Sequence, residues 1–283
     1  MSEPLIDLHL HTTASDGRCT PEDLVDQAWR AGIGTMSVTD HDTMAATTAA
    51  SSHASVRGIQ FIPGIEITSV HGGRDVHLLA YHLSPSAAPI QELLAKQREL
   101  RLERAREIAT LLTAAGVPLD VEMLLGKAHS MTGKAIARPQ IAEALVVAGH
   151  VSCVADAFKK YLGEGCQAYV PHTGASPRFV VELVLECGGV PSMAHPGISK
   201  RDEIIPDLVD AGLPCIEVYH SGHDEAAQHH YAAVADHYGL VRTGGSDYHG
   251  PGTRRSEHFG HVTVPSREFQ RFRDLVSCLT AGR

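Results

Sequence analysis

Apolar and polar residues alternate with a period of two in several short segments, the first of which is Ile6–His11. Because successive side chains of a β-strand point to opposite faces, this alternation predicts a strand whose apolar face packs against helices. His9 and His11 then share the other face, as metal ligands often do. Two hydrogen-bonded histidines on a half-buried strand would give the same pattern.

Strand and helix patterns alternate along the first part of the chain. Thr20 and Pro21 are typical of an N-cap and a first helical turn, and the helix that they begin is expected to stop near Gly32. The remaining predicted elements are strands at 35–39, 59–63 and 75–81 and a helix at 44–53. This order predicts parallel strands joined by right-handed crossovers.

A helical segment then interrupts the alternation. A long helix is predicted at 90–112, followed by shorter helical stretches at 121–125, 135–147 and 153–162. No convincing strand pattern occurs between residues 83 and 168. We therefore expect a helical insertion of roughly 80 residues, 89–171, that caps a main domain formed by 1–88 and 172–283.

The strand and helix alternation resumes after Pro177. Helices are predicted at 177–186, 204–211 and 225–238, and strands at 190–194, 214–219 and 240–244. Seven parallel strands with covering helices predict an α/β fold, a distorted (βα)7 TIM-like barrel carrying the helical insertion.

Composition narrows the class of protein. The 283 residues are 43% hydrophobic, which suits one large domain with an ample core. No apolar run approaches the length of a membrane span, and no secretory signal is seen at the N-terminus. The six cysteines include no CxxC pair, so we expect a reduced, cytoplasmic protein.

The net charge of -9 argues against sequence-blind binding of nucleic acid, including a DNA duplex, through a basic face. A small anionic substrate held by metal ions is compatible with this charge.

Histidines and carboxylates gather at or near the carboxyl ends of the predicted strands, where βα barrels build their active sites. Chance placement would scatter such residues over strands and helices alike. Only the strand at 214–219 lacks one, although His220 and His223 follow it. The set, with one loop carboxylate, is His9, His11, Asp16, His41, Glu66, His77, His195, Asp247 and His249.

Some members have alternatives. His77 could be a buried core histidine, and His82 is a rival ligand five residues later. Asp40 and Asp42 are expected to orient His41 or to cap the next helix rather than to bind metal.

Five ordered motifs carry a family resemblance, at 8–17, 39–42, 64–66, 194–196 and 245–249. They resemble the successive motifs of the PHP (polymerase and histidinol phosphatase) family, and the resemblance spans residues 5–82 and 188–250. It implies a distorted (βα)7 barrel, in agreement with the predicted strands, and two or three divalent metal ions.

The resemblance also implies three ligand sets, the first two of which share Glu66. They are His9, His11, Glu66 and Asp247; Glu66, His77 and His195; and Asp16, His41 and His249. Some relatives have histidine where this chain has Asp16. The oxygen ligand favours Mn²⁺ at the third set, with Mg²⁺ and Zn²⁺ as alternatives.

Neighbouring divalent ions suit phosphoryl hydrolysis, because they lower the pKa of a bridging water and neutralise phosphate oxygens. Lys134 and Arg138, on one face of an insertion helix, are candidate phosphate-binding residues, and a solvated basic face is the alternative. His223 could contact phosphate or protonate the leaving oxygen, or be an ordinary loop histidine.

The insertion sequence at 133–139, GKAIARP, is similar to that of a branch containing 3',5'-nucleoside bisphosphate phosphatases and an exoribonuclease. The similarity implies removal of the 3'-phosphate from a nucleoside 3',5'-bisphosphate such as pAp, giving the 5'-monophosphate.

Alternatives are a 5'→3' exoribonuclease acting on short RNA, a histidinol-phosphate-type phosphatase, and a non-catalytic module. The aromatic content of 5% disfavours a long RNA track, and the complete ligand set disfavours a non-catalytic module.

Overall fold

The computed structural model describes residues 3–120 and 138–281. The chain divides into two compact units. The first comprises Met1–His71, Asp75–Gln91 and Ala175–Arg283, and the second comprises Gly72–Arg74 and Glu92–Gly174. The hairpin turn at Gly72–Arg74 thus groups with the helical insertion, which the sequence did not indicate.

The first unit is built on a seven-stranded sheet whose strands follow one another in chain order. They are β1 (Leu5–Leu10), β2 (Ile33–Val38), β3 (Gln60–His71), β4 (Arg74–Tyr81), β5 (Val190–Met193), β6 (Cys215–His220) and β7 (Val241–Gly245). The Asp247 amide donates to the His9 carbonyl at 2.9 Å, so the segment after β7 pairs with β1. The sheet is thereby a nearly closed barrel, and the predicted fold class is confirmed.

The prediction that all strands are parallel is wrong at β4, which runs antiparallel to β5. Gly72 and Gly73, with φ of 58° and 75°, form a two-residue link between β3 and β4. Such a link suits a hairpin and is far too short for a parallel crossover. Glu66 and His77 consequently lie in the middle of strands, not at their carboxyl ends.

Helices cover the strands of the first unit. They are α1 (Pro21–Arg30), α2 (Thr47–Arg57), α6 (Pro177–Glu186), α7 (Pro196–Ser199), α8 (Ile205–Asp210), α9 (Glu225–Tyr238) and α10 (Ser266–Ala281). Short 3₁₀ turns occur at Asp202–Ile204 and Ser256–His258. The Thr20 hydroxyl accepts the Asp23 amide at 3.1 Å, as expected of the predicted N-cap of α1.

The apolar face of β1 packs against helices, as its alternation predicts. Leu10 belongs to a buried cluster with Leu24 and Val25 of α1. Leu8 belongs to a second cluster that includes Phe272 of α10. Helix α10 was not predicted, although its apolar residues recur at helical spacing.

The second unit is helical in its described part. It contains most of α3 (Ala88–Ala114), then α4 (Arg138–Val147), α5 (Val154–Ala157) and a π-helical turn at Phe158–Leu162. Its core includes Ile108, Leu112 and Ile141. The helix predicted at 121–125 and the start of that predicted at 135–147 lie outside the described residues. Among described residues, no helix is both long and apolar enough to cross a bilayer.

Candidate metal centre

Glu66 stands at the centre of the predicted ligand set. Its side chain is fully buried in β3. Its Oε1 lies 2.7 Å from His77 Nδ1 and 2.8 Å from His195 Nε2. The β3–β4 hairpin positions His77 beside Glu66, whereas His195 follows β5.

The other oxygen of Glu66 faces three more imidazoles. Its Oε2 lies 3.2 Å from His9 Nε2, His11 Nε2 and His41 Nδ1. One buried carboxylate therefore meets five imidazole nitrogens. Each hydrogen bond to Glu66 would need a protonated ring nitrogen as its donor. Five such donors would place several additional protons in a buried site, which is costly.

The surroundings of His11 suit a metal cation better than a hydrogen-bonding proton. Its Nε2 is 3.2 Å from both Glu66 and Asp247, yet neither of its buried ring nitrogens has a hydrogen-bond partner among the described residues. Nitrogen and carboxylate lone pairs that converge without hydrogen-bond geometry fit a bound cation. These residues would hold divalent metal ions.

The first implied ligand set forms one compact group. Ligand atoms of His9, His11, Glu66 and Asp247 all lie within 4.8 Å of one another. Asp247 Oδ1 is 3.2 Å from His11 Nε2 and 3.5 Å from His9 Nε2.

The third implied set is also brought together, with His11 added. Asp16, His41, His249 and His11 offer ligand atoms within 4.8 Å of one another. Asp16 Oδ1 lies 3.2 Å from His249 Nε2, and its side chain is 44% exposed, so this set reaches the protein surface. With Asp16 instead of a histidine, this set offers a hard oxygen ligand in place of a nitrogen ligand.

The members of the second implied set also meet at Glu66. Glu66 and His77 form a compact group with His41, whereas His195 was the predicted third member. His195 nevertheless contacts the same Glu66 oxygen as His77 does. A further compact group, His9, Glu217 and His220, was not predicted.

Glu217 is the main residue that the sequence interpretation missed. It is fully buried in β6, and its Oε1 lies 3.0 Å from His9 Nδ1, while its Oε2 accepts the His195 amide at 2.7 Å. This carboxylate fixes the ring orientation that directs His9 Nε2 toward Glu66. A glutamate inside an apolar strand was the available signal, since an unpaired buried charge is costly.

His220 also belongs to this neighbourhood. It is buried at the end of β6, its Nε2 lies 3.3 Å from Asp247 Oδ2, and its Nδ1 accepts the Gly222 amide at 2.9 Å. Each of the seven strands thus carries a residue of the centre or of its supports, or ends within three residues of one.

The electrostatics show opposed effects of burial and charge. Burial opposes protonation of His11, but the carboxylates of Asp247 and Glu66, each 3.2 Å from its Nε2, outweigh burial and raise its pKa to about 10. Burial lowers the pKa of His41 to about 4, against the attraction of Glu66. Burial would raise the pKa of Glu66, yet the surrounding imidazoles, His41 first, hold it well below its usual value. The centre therefore retains an anionic carboxylate able to bind a cation.

Neighbouring aspartates hold the loops around the centre. Asp40 accepts the Thr12 amide and hydroxyl, each at 2.7 Å, and the Ser15 hydroxyl at 2.6 Å. Asp42 accepts the Thr68 amide at 2.9 Å. Neither caps α2 as had been considered, because the N-cap of that helix is Ala46.

Backbone strain concentrates at the centre. Non-glycine residues in the left-handed region include Asp42, His195, Asp247 and Arg255. Such conformations cost of order 1–3 kcal/mol each and persist where surrounding contacts impose them, commonly at functional sites.

The predicted substrate residues are placed as follows. Both ring nitrogens of buried His223 are engaged: Nδ1 lies 2.9 Å from the Val218 carbonyl, and Nε2 accepts the Gly197 amide at 3.1 Å. Arg138 begins α4, and its guanidinium lies 5.7 Å from the Tyr169 ring centroid. Lys134 lies outside the described residues. The roles of these three residues stay predictions.

His82, the rival of His77, is exposed and stacks on Phe272 with ring centroids 6.1 Å apart. It belongs to none of the compact groups of potential ligands among the described residues.

Comparison with known proteins agrees with this geometry. Residues 7–114 match the model of the PHP domain family. The chain is 35% identical to the 3',5'-nucleoside bisphosphate phosphatase of Chromobacterium violaceum over 254 residues, covering 87% of this chain and 88% of the relative. It is 34% identical to the 5'-3' exoribonuclease Rnm of Escherichia coli, covering 87% of this chain and 86% of that protein.

A solved structure from Bifidobacterium adolescentis, described as a metal-dependent phosphoesterase, superposes with a TM-score of 0.82 at 30% identity. The match covers 100% of this chain and 99% of that one. The ligand cluster, the barrel and these likenesses agree, and the chain belongs to the PHP family of metal-dependent phosphoesterases.

Proposed function

We propose that the protein removes the 3'-phosphate from nucleoside 3',5'-bisphosphates such as pAp and releases the 5'-monophosphate. The convergence of buried imidazoles and carboxylates on Glu66 is the observation that carries the hydrolytic part of this proposal. The choice of substrate is supported by the 35% identity to a 3',5'-nucleoside bisphosphate phosphatase over 87% of this chain.

The proposed reaction uses the side chains of the centre as metal ligands. His9, His11 and Asp247 would hold one ion with Glu66, and Asp16 and His249 would hold another near the surface. Two or three divalent ions bound there, with Mn²⁺ favoured, would provide hydroxide at neutral pH and neutralise the phosphate oxygens. The protein supplies no separate general base in this scheme.

Substrate recognition is assigned to the insertion and to one loop residue. Lys134 and Arg138 would bind phosphate, and the insertion would shelter the base. His223 would contact phosphate only after exchanging its bond from the Gly197 amide for one to the substrate. The protein is proposed to act in the cytoplasm on small phosphorylated nucleotides.

A second candidate is 5'→3' exoribonuclease activity on short RNA. It is favoured by the 34% identity to the Escherichia coli exoribonuclease over a similar share of the chain. The same metal centre would serve either reaction, because both hydrolyse a phosphoester.

A comparison of phosphate release and RNA shortening separates the candidates. The Mn²⁺-loaded protein is given pAp, a short 5'-phosphorylated oligoribonucleotide, or histidinol phosphate. We expect the highest kcat/KM with pAp and AMP as the product. Preferential release of mononucleotides from the 5' end of the RNA would replace the proposal with the exoribonuclease, and preference for histidinol phosphate would reject both.

A further inference from the structure

Arg255 places a guanidinium beside the candidate metal centre. Its Nη1 lies 3.5 Å from Asp247 Oδ2, and its side chain is 17% exposed. The residue follows β7 within the first unit, on the loop that also carries Asp247 and His249. Its position results from the fold around the centre and was not singled out by any sequence motif.

The guanidinium is poorly satisfied by the protein. Arginine has five N–H donors, and within residues 3–120 and 138–281 the long contact to Asp247 is its sole hydrogen bond or ion pair. A contact of 3.5 Å is at the outer limit of a hydrogen bond. The remaining donors are thus available to an anion.

The guanidinium of Arg255 lies close to Gly222, in the loop between β6 and α9. A Cβ on Gly222 would lie 3.0 Å from Arg255 Nη2 and 3.1 Å from its Cζ. The adjacent Ser221 hydroxyl is buried and has no hydrogen-bond partner among the described residues. The guanidinium contacts Oδ2 of Asp247, the same oxygen that His220 Nε2 faces at 3.3 Å.

The backbone at Arg255 adds a second line of evidence. Its φ of 67° lies in the left-handed region, which arginine seldom adopts and which glycine or asparagine adopts at lower cost. The long ion pair with Asp247 is too weak to explain such a cost. A ligand that uses the remaining donors would explain it.

We propose that Arg255 binds the non-bridging oxygens of the phosphoryl group at the metal centre. Cations bound by Asp247 and its neighbours would make the surroundings of the guanidinium positive, and a phosphate dianion would balance that charge. The planar fork matches two phosphate oxygens. The inference rests on the proposed reaction in needing a phosphoryl group there, but not on which nucleotide carries it.

Binding of inorganic phosphate to the Mn²⁺-loaded protein tests this role without turnover. Arg255→Gln is expected to raise the Kd for phosphate by about tenfold or more, since a charge-assisted bidentate contact is lost. Arg255→Lys should restore part of the affinity. Arg254→Gln is the matched control, because Arg254 is exposed on the same loop, and its Kd should equal that of the parent.

Two companion measurements exclude an indirect effect. The Mn²⁺ content of Arg255→Gln should match the parent, and its melting temperature should not fall. Gly222→Ala, which retains the arginine but crowds it, should also weaken phosphate binding. Unchanged phosphate affinity in Arg255→Gln, or equal losses in Arg254→Gln, would overturn the inference, as would loss of Mn²⁺, which would make Arg255 a support for Asp247.

This experiment is independent of the substrate assignment. If the parent binds phosphate through Arg255 but does not hydrolyse pAp, only the proposed function fails. If pAp is hydrolysed while Arg255→Gln binds phosphate as the parent does, only the Arg255 inference fails.

Discussion

At the scale of single residues, the centre depends on carboxylates that burial would otherwise disfavour. Glu66 and Glu217 are both fully buried, and each meets histidines from several strands. Glu66 faces the point where the ligand atoms converge, whereas Glu217 lies behind His9. Substitution of Glu66 would therefore remove a proposed metal ligand, whereas substitution of Glu217 would loosen the ligand His9.

Glu217→Gln should weaken metal binding without abolishing it. The amide keeps the size of the side chain but removes the charge that holds His9 Nδ1 at 3.0 Å. Loss of such a supporting partner typically costs 10–100-fold in metal affinity. Titration with Mn²⁺ measures the effect, and Glu182→Gln, on the partly exposed face of α6, is a control expected to leave the Kd unchanged. A parent-like Kd in Glu217→Gln would remove Glu217 from the account.

The candidate metal ligands could be predicted from the sequence, whereas the role of the supporting residue Glu217 could not. His9, His11 and Asp247 stand in short motifs whose residue types indicate metal binding. Glu217 stands alone in an apolar strand, and its partners, His9 and His195, are distant in sequence. Its role depends on which strands the barrel makes adjacent, which no local pattern specifies.

At the scale of elements, the wrong direction predicted for β4 has the same cause: local sequence patterns do not specify how strands pair. Alternating or continuous apolar residues predict a strand but not its direction, so β4 was taken as parallel. The Gly72-Gly73 pair was the available signal for a hairpin. The capped helices α1, α6 and α9 were predicted closely because N-cap chemistry and apolar spacing coincide there.

Helix α10 is expected to be essential to the barrel core. Phe272 is 1% exposed and meets Tyr81 edge-on, with ring centroids 5.3 Å apart. Phe272→Ala should lower the free energy of unfolding by about 3–5 kcal/mol, because it leaves a cavity. Arg273→Ala, at an exposed position of the same helix, should change it by less than about 0.5 kcal/mol. Chemical denaturation measures both, and equal effects would show that α10 does not cover the core.

The contact between α1 and α2 predicts a pH dependence of stability. Hydrogen bonds from Arg57 and then His53, both at 2.7 Å, lower the pKa of Asp26 to about 2 from 3.8. A carboxyl whose pKa is lowered by folding stabilises the fold above its unfolded pKa, and the contribution disappears as the pH falls through the folded pKa. This contribution is therefore present near neutral pH and declines below about pH 4.

Thermal melting of the parent and Asp26→Asn from pH 6 to pH 3 checks this dependence. The difference in melting temperature should be constant above about pH 5 and shrink below pH 4. A difference that stays constant down to pH 3 would mean that the ion pairs of Asp26 contribute nothing to stability.

At the scale of the whole molecule, the first unit contains the described metal-ligand groups together with His223 and Arg255, whereas Lys134 and Arg138 belong to the second unit. The family and the barrel follow from motifs spread over the first unit, so they were accessible from the sequence. The proposed choice of substrate rests on likeness to a relative and on the predicted roles of insertion residues, of which Lys134 lies outside the described part of the chain. Relatives of similar identity are named for different substrates, so the metal centre alone does not specify which phosphoester is cleaved.

The central claim is that a metal centre organised by Glu66 releases the 3'-phosphate of pAp. The most direct measurement is the rate of phosphate release from pAp by chelator-treated protein before and after addition of Mn²⁺, for the parent and Glu66→Gln. We predict no release before addition, restored release with AMP as product in the parent, and no restoration in a folded Glu66→Gln that binds less Mn²⁺. Release that survives chelation, or equal restoration in Glu66→Gln, would contradict the account.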